Sequence, residues 1–366
     1  MVSMEELLTI MVQRGGSDLH ISAGAPPKIR IDGKLYDTEH DVLRPEVTKK
    51  LIYSVLTADQ NAKFEKTKEL DFSFGVANLG RFRTNAFVQR GTIAAVLRVI
   101  PFEVHGFTEL GLPVDVCESI CGLRKGLVLC TGSTGSGKST TLASLVDYIN
   151  EKRQGHIVTI EDPIEFLHRN KNCLVNQREV GADTAGFSGA LRSVLRQDPD
   201  VVLVGEMRDL ETIEAALTLA ETGHLTFATL HTSDTAQTIN RIVDVFPSHQ
   251  QQQIRTMLSF TLQAVLCQQL LPLSQGKGRG LAVEVMLATP AIRALVRDNK
   301  MHQIASIIQT SGRTGMRTMN QSVYDLYRAG SISFDDAMTN CTDQAEFHRL
   351  LQRTGATSGA GAGKRR

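Results

Sequence analysis

Apolar and polar positions along the first hundred residues change period several times, and each change predicts a new element. Met4–Gln13 has helical spacing and predicts a short amphipathic helix. Residues 17–21, Ser-Asp-Leu-His-Ile, alternate polar and apolar, as a half-buried strand does. Pro26-Pro27 breaks the chain, and residues 29–34 read as a strand running into an Asp-Gly turn. Helical spacing returns over residues 46–55 and 58–66, and strands are predicted at 71–76, 81–89 and 94–99. This order predicts an α+β module over residues 1–100. Residues 101–113, with two prolines and two glycines, read as a linker.

The pattern then becomes an alternation of continuous apolar runs and helices. Residues 126–131, 156–160, Val201–Val204 and 225–229 predict buried strands. Residues 140–150, 189–196 and Leu210–Glu221 predict the helices between them. Such an alternation implies an α/β fold, a parallel sheet covered on both faces, over residues 114–280. From about Val283 to Leu351 the pattern reads as helical, giving a C-terminal helical region over 281–353. The Gly, Ala and Ser tail at 354–366, ending in Lys-Arg-Arg, predicts disorder.

Composition changes this picture only at its margins. The 366 residues leave room for two or three domains, and 42% apolar with 22% charged residues is an ordinary globular balance. A formal net charge of +1 provides no broad field for nucleic acid or an anionic membrane. No apolar run approaches the roughly 18–20 residues of a spanning helix, so no direct membrane insertion is expected. The N-terminus carries Glu5 and Glu6 and no basic stretch, which is unlike a signal peptide and makes the cytoplasm the expected location. Six cysteines are scattered without a CxxC pair, so ordinary buried thiols are favoured over a zinc site.

Chemistry enters at the end of the first buried run of the second part. Gly132, Ser133, Thr134, Gly135, Ser136, Gly137, Lys138 and Ser139 meet in full the pattern of a glycine, four residues, then Gly-Lys-Ser. A triphosphate carries several negative charges, so its loop must bring many backbone N–H groups close together, which glycines allow. The helix that follows adds its positive dipole end. Lys138 is expected to reach the β- and γ-phosphates and Ser139 to ligate Mg2+, with Thr140 completing the ATP-binding stretch.

Val201–Val204 leads through Gly205 to Glu206 at the C-terminal end of an apolar strand, the edge where ligands bind in doubly wound sheets. Glu206 is thus a candidate to hold Mg2+ or polarise the attacking water. Glu161 ends another such strand, and either carboxylate could take the water proton. Asp162 and Glu165 read equally well as structural. His224 and His231 bracket a third strand, and His231 is expected beside the phosphate loop, able to sense the γ-phosphate.

Together, residues 131–140, 160–165, 204–209 and 222–232 resemble four motifs of the secretion ATPase family, in the same order. The resemblance spans about residues 5–350. Within that family the chain is most similar to the branch that retracts type IV pili. It lacks the longer N-terminal extension and four-cysteine insert usual in assembly ATPases, and residues 291–300 resemble a C-terminal retraction motif. They depart from it at Ala294, Val296 and Asp298, where Asn, Ile and Glu are usual.

The resemblance implies a PAS-like N-terminal domain, a RecA-like P-loop NTPase domain and a homohexameric ring. Nucleotide would lie between the domains of a subunit, near the ring interface. Arginines from the N-terminal domain would reach the phosphates, and the matching positions are Arg81, Arg83 and Arg98. Partners would be further copies of the chain, an inner-membrane pilus platform protein and the pilus base. A nucleic-acid motor is disfavoured by 5% aromatics and no tryptophan. A GTPase is disfavoured because Asn299-Lys300-Met-His302 lacks the aspartate of a guanine motif. A regulatory nucleotide binder with negligible turnover remains a third reading.

Overall fold

The computed structural model describes residues 2–77, 79–275 and 278–358, with side chains as far as Gln352. The chain forms two compact units, one of residues 1–103 plus 164–167 and the other of 104–163 plus 168–366.

The first unit runs α1 (Met4–Gln13), β1 (Asp18–Ile21), β2 (Lys28–Ile31), β3 (Lys34–Asp37), α2 (Pro45–Tyr53), α3 (Ala58–Thr67), β4 (Glu69–Val76), β5 (Gly80–Gln89) and β6 (Thr92–Ile100). Ser3 and Glu6 form a reciprocal capping box that starts α1, and Thr57 with Gln60 does the same for α3. The strands make an antiparallel sheet in the order β3-β2-β1-β6-β5-β4. One sheet face buries Leu19, Ile29, Phe82 and Leu97 against Leu7, Leu8, Met11, Ile52 and Phe64 of the helices. The period-2 alternation sends Arg83 and Arg98, register partners on β5 and β6, to the other face.

The second unit continues with α4 (Val114–Cys121), β7 (Gly126–Thr131), α5 (Lys138–Lys152), β8 (His156–Glu161), β9 (Leu174–Glu179), α6 (Phe187–Val194), β10 (Val201–Val204), α7 (Leu210–Glu221) and β11 (Leu225–Leu230). After these come α8 (Thr235–Asp244), α9 (Ser248–Thr261), β12 (Leu262–Pro272) and β13 (Arg279–Leu287). The end of the chain is helical, in α10 (Pro290–Arg297), α11 (Ile304–Thr310), α12 (Met319–Arg328), α13 (Phe334–Asn340) and α14 (Gln344–Ser358). The sheet order is β13-β12-β7-β11-β10-β8-β9. β7 shows why both faces are covered. Leu127 and Leu129 join the core formed with α6, α7, α8 and α9, while Val128 and Cys130 join the core formed with α4 and α5. Each such fully buried aliphatic side chain stabilises the fold by about 1.5–3 kcal/mol.

Three expectations change. The sheet is mixed, because β13 pairs antiparallel with β12. The helical region expected from about Val283 starts only at Pro290, because 279–287 is this edge strand. Its apolar residues fit either period, and pairing with β12 decides between them. Of the tail expected to be disordered, residues 354–358 continue α14, and 359–366 lie outside the described residues.

Candidate active site

The phosphate loop forms where β7 hands over to α5. Gly132 has φ of 140°, and a Cβ there would collide with Gln268 O and lie 2.5 Å from Ser136 Oγ. Only glycine lets the loop turn this close beneath β12. Lys138 is buried, and its Nζ donates to Gly132 O at 2.8 Å and Ser133 O at 2.9 Å. The ammonium is thus drawn to the carbonyls of its own loop, within reach of anything the loop encloses. Ser139 and Thr140 lie half-buried in the first turn of α5, and Ser133, Thr134 and Gly135 form the exposed crest.

Parallel pairing brings the other candidates to the same sheet edge. Leu230 pairs with Thr131, so His231 emerges beside Gly132. Val204 pairs with Ile160 and with Ala228, so Glu206, Glu161 and His231 follow the ends of neighbouring strands. Gly205 makes that convergence possible, since a Cβ there would sit 3.1 Å from Glu161 Cα and from Ile160 O. Its N–H donates to Ile160 O at 2.8 Å, and Thr229 Oγ1 donates to its carbonyl at 2.5 Å.

Glu206 is the electrostatic centre of this edge. Its Oε1 accepts from Arg208 Nε at 2.5 Å and lies 3.2 Å from His231 Nε2. Burial pushes the Glu206 carboxyl up, but the Arg208 guanidinium and His231 imidazole outweigh it and hold the group below the ordinary carboxylate value. Glu161 is oriented by two donors to Oε1, Thr159 Oγ1 at 2.6 Å and Gln177 Nε2 at 3.2 Å. Asp162 is exposed at the same strand end, and Glu165 is an exposed residue of the first unit.

His224 does not join this group. It precedes Leu225, which pairs with Gly126 at the start of β7, so it lies at the opposite sheet edge. Seven residues of extended chain separate it from His231, roughly 20 Å. Its Nδ1 lies 3.0 Å from Leu219 O and 3.2 Å from Thr222 Oγ1, closing the C-terminal end of α7. Within one chain, His224 therefore stands apart from the phosphate loop, at the C-terminal end of α7.

Arg81, Arg83 and Arg98 belong to the first unit. Arg98 Nε donates to Oδ1 of the buried Asp18 at 2.8 Å, an ion pair in the middle of the sheet face. Arg83 is exposed and Arg81 half-buried on the same strand face.

Two contributors escape the sequence. Gln268 of β12 donates from Nε2 to Thr141 Oγ1 at 2.7 Å and accepts from Cys130 Sγ at 3.0 Å, forming the floor of the loop. Arg279 Nη1 donates to Gly135 O at 3.2 Å and steadies the crest. Both are well over a hundred residues from the loop, and only the β12–β7 and β12–β13 pairings bring them there.

A glycine loop between a buried strand and a helix, with a carboxylate and a histidine at the next strand ends, defines a P-loop nucleotide-binding protein. Residues 2–339 match the family model described as type II/IV secretion system protein, and the chain belongs to that family. It is 51% identical over 336 residues to the type IV pilus retraction ATPase PilT of Pseudomonas aeruginosa, covering 92% of this chain and 97% of that one. It is 40% identical to the type IV pilus ATPase PilU of the same organism, covering 98% and 94%. A crystal structure of the pilus retraction motor PilT with bound ADP aligns with TM-score 0.88 at 50% identity, covering 95% of this chain and all of that one.

Proposed function

We propose that this chain is an ATP hydrolase that powers retraction of type IV pili, and so twitching motility. The observation that carries the reading is the convergence of Lys138, Glu206 and His231 on one sheet edge. Near full-length similarity to PilT supports it, and exceeds the similarity to PilU.

The loop amides and Lys138 bind the phosphates. Glu161, oriented by Thr159 and Gln177, is assigned as the group that takes the proton of the attacking water. Glu206, with its proton affinity lowered by the Arg208 guanidinium and the nearby His231 imidazole, suits a carboxylate that takes part in its ionised form. His231 donates toward developing charge at the γ-phosphate. Mg2+ fits the donor set, since it needs only one or two protein oxygens beside phosphate and water, and Ser139 and Glu206 supply a hydroxyl and a carboxylate. When bound, the ion neutralises charge on the phosphates.

The domain reading is PAS-like for 1–100, a connector at 101–113 and RecA-like from 114 through β13, with a helical region that starts at Pro290. Of the three N-terminal arginines that the family resemblance points to, Arg98 pairs with the buried Asp18. The working form is a homohexamer on the cytoplasmic side of the inner membrane, at the pilus base and its platform protein. No helix among the described residues is long and apolar enough to cross a membrane.

Steady-state turnover and fluorescent-ATP binding test the site. E206Q and E161Q should each retain nucleotide affinity within a few-fold while turnover falls about 100-fold or more. Wild-type turnover in either variant removes that residue from the mechanism.

A further inference from the structure

Glu284 is a largely buried carboxyl group on β13 that the phosphate chemistry does not use. Its register partner on β12 is Cys267. Its Oε1 accepts twice from one residue, Thr235 N at 3.0 Å and Thr235 Oγ1 at 2.8 Å. Burial pushes the Glu284 carboxyl up and these donors pull against it, so an acceptor oxygen matters here more than a full charge.

Thr235 opens α8 and is itself 1% exposed. Just before it, Asp234 caps the helix by accepting from Gln237 N at 2.8 Å, and Thr232 Oγ1 meets Thr238 Oγ1 at 2.7 Å. The span from His231 to Thr235 is therefore fixed at both ends. One end is the pairing of Leu230 with Thr131, and the other is the clasp of Glu284 on Thr235. Thr131, the last residue before the phosphate loop, donates to Cys267 Sγ at 3.1 Å, and Thr235 Oγ1 lies 4.0 Å from the same sulfur. A buried polar node thus joins the base of the phosphate loop to the span that carries His231.

We propose that Glu284 is a positioning residue for His231, holding Thr235 so that the imidazole stays within reach of Glu206 and the γ-phosphate. The His231–Glu206 separation of 3.2 Å is at the long end of a hydrogen bond, so a shift of about 1 Å in the span breaks it. This inference rests on the ATPase reading and on the role given there to His231.

The test compares purified full-length wild type, E284A, E284Q, T235V, H231A and the double variant H231A/E284A. Steady-state kcat and KM, fluorescent-ATP affinity and thermal unfolding are measured for each. E284A should lower kcat about tenfold or more while nucleotide affinity stays within about threefold. E284Q keeps an oxygen for Thr235 but turns an amide donor toward the Met319 N–H that the carboxylate also accepts, so it should recover most, not all, of the kcat lost in E284A. T235V, which loses only the hydroxyl donor, should fall between the two and reports on the clasp even where E284A fails to fold. In the H231A background, E284A should cost less than about twofold more, since both act through one group. Wild-type kcat in a folded E284A or in T235V overturns the proposal, as does a full additive loss in the double variant. A rise in KM with kcat unchanged does the same, because the damage would then lie in binding. A wild-type protein without turnover contradicts the ATPase reading itself, which is a different failure.

Discussion

At the scale of single residues, the phosphate loop depends on one absent side chain as much as on Lys138. Gly132 lies under Gln268 O and beside Ser136 Oγ with φ of 140°, so Gly132→Ala meets backbone that cannot retreat from β12. The expected outcome is loss of nucleotide affinity by about 100-fold and a stability loss of about 1–3 kcal/mol. Nucleotide titration and thermal unfolding read the two effects. Gly135→Ala is the comparison, since open space surrounds that position and only its φ of 77° opposes a side chain. An affinity loss as large at Gly135 would show that conformation, and not the close approach, governs the loop. Local spacing announced these residues because eight consecutive positions carry one demand. The chain announced His231 and Glu206 nearly as well, as polar residues at the ends of apolar runs. His224 looked alike in sequence, and only strand direction separates an upper from a lower edge. Gln268, Arg279 and Glu284 carry no local mark, because their partners come from distant strands.

At the scale of elements, helices such as α1, α3 and α7 and the central apolar strands were legible, while β3, α8, α9, β9, β12 and β13 were not. β9 has only one fully buried residue, so no apolar run betrays it. β13 places Glu284 among apolar residues, a pattern that a helix shares. The segment between β8 and β9 also has a pH consequence. His168 lies there with its Nδ1 sealed from water and its backbone N–H donating to Gln177 Oε1 at 2.8 Å. Burial lowers its pKa from 6.5 to about 4, with the Asp147 carboxylate opposing and Lys171 assisting. The unfolded chain therefore binds a proton below about 6.5 that the folded chain refuses until about 4. Stability from this group is complete above pH 6.5 and is lost as pH falls through that window, by up to about 3 kcal/mol. Denaturant unfolding at pH 7.5 and pH 5 should show the decline in wild type and a shallower one in H168Q. Equal slopes in the two proteins would mean that His168 titrates normally.

At the scale of the whole molecule, the proposed motor works only if its subunits share one cycle. ATP moves a conformational equilibrium by no more than its differential affinity for the two states, so a repeating cycle needs hydrolysis to reset what binding has shifted. A subunit of E206Q should bind ATP and hold it unhydrolysed. In a bacterium carrying this gene, deletion should leave pili on the surface while twitching stops. Loss of the pili would instead mark an assembly motor, and twitching that persists would mark an accessory one. Co-expression of E206Q with wild type then tests the ring. If the proposed six subunits act in concert, an equal mixture leaves few rings without an E206Q subunit, so twitching should fall far below half. A fall only in proportion to the wild-type fraction would mean that subunits fire independently, and the concerted ring would have to be abandoned while the ATPase assignment stood.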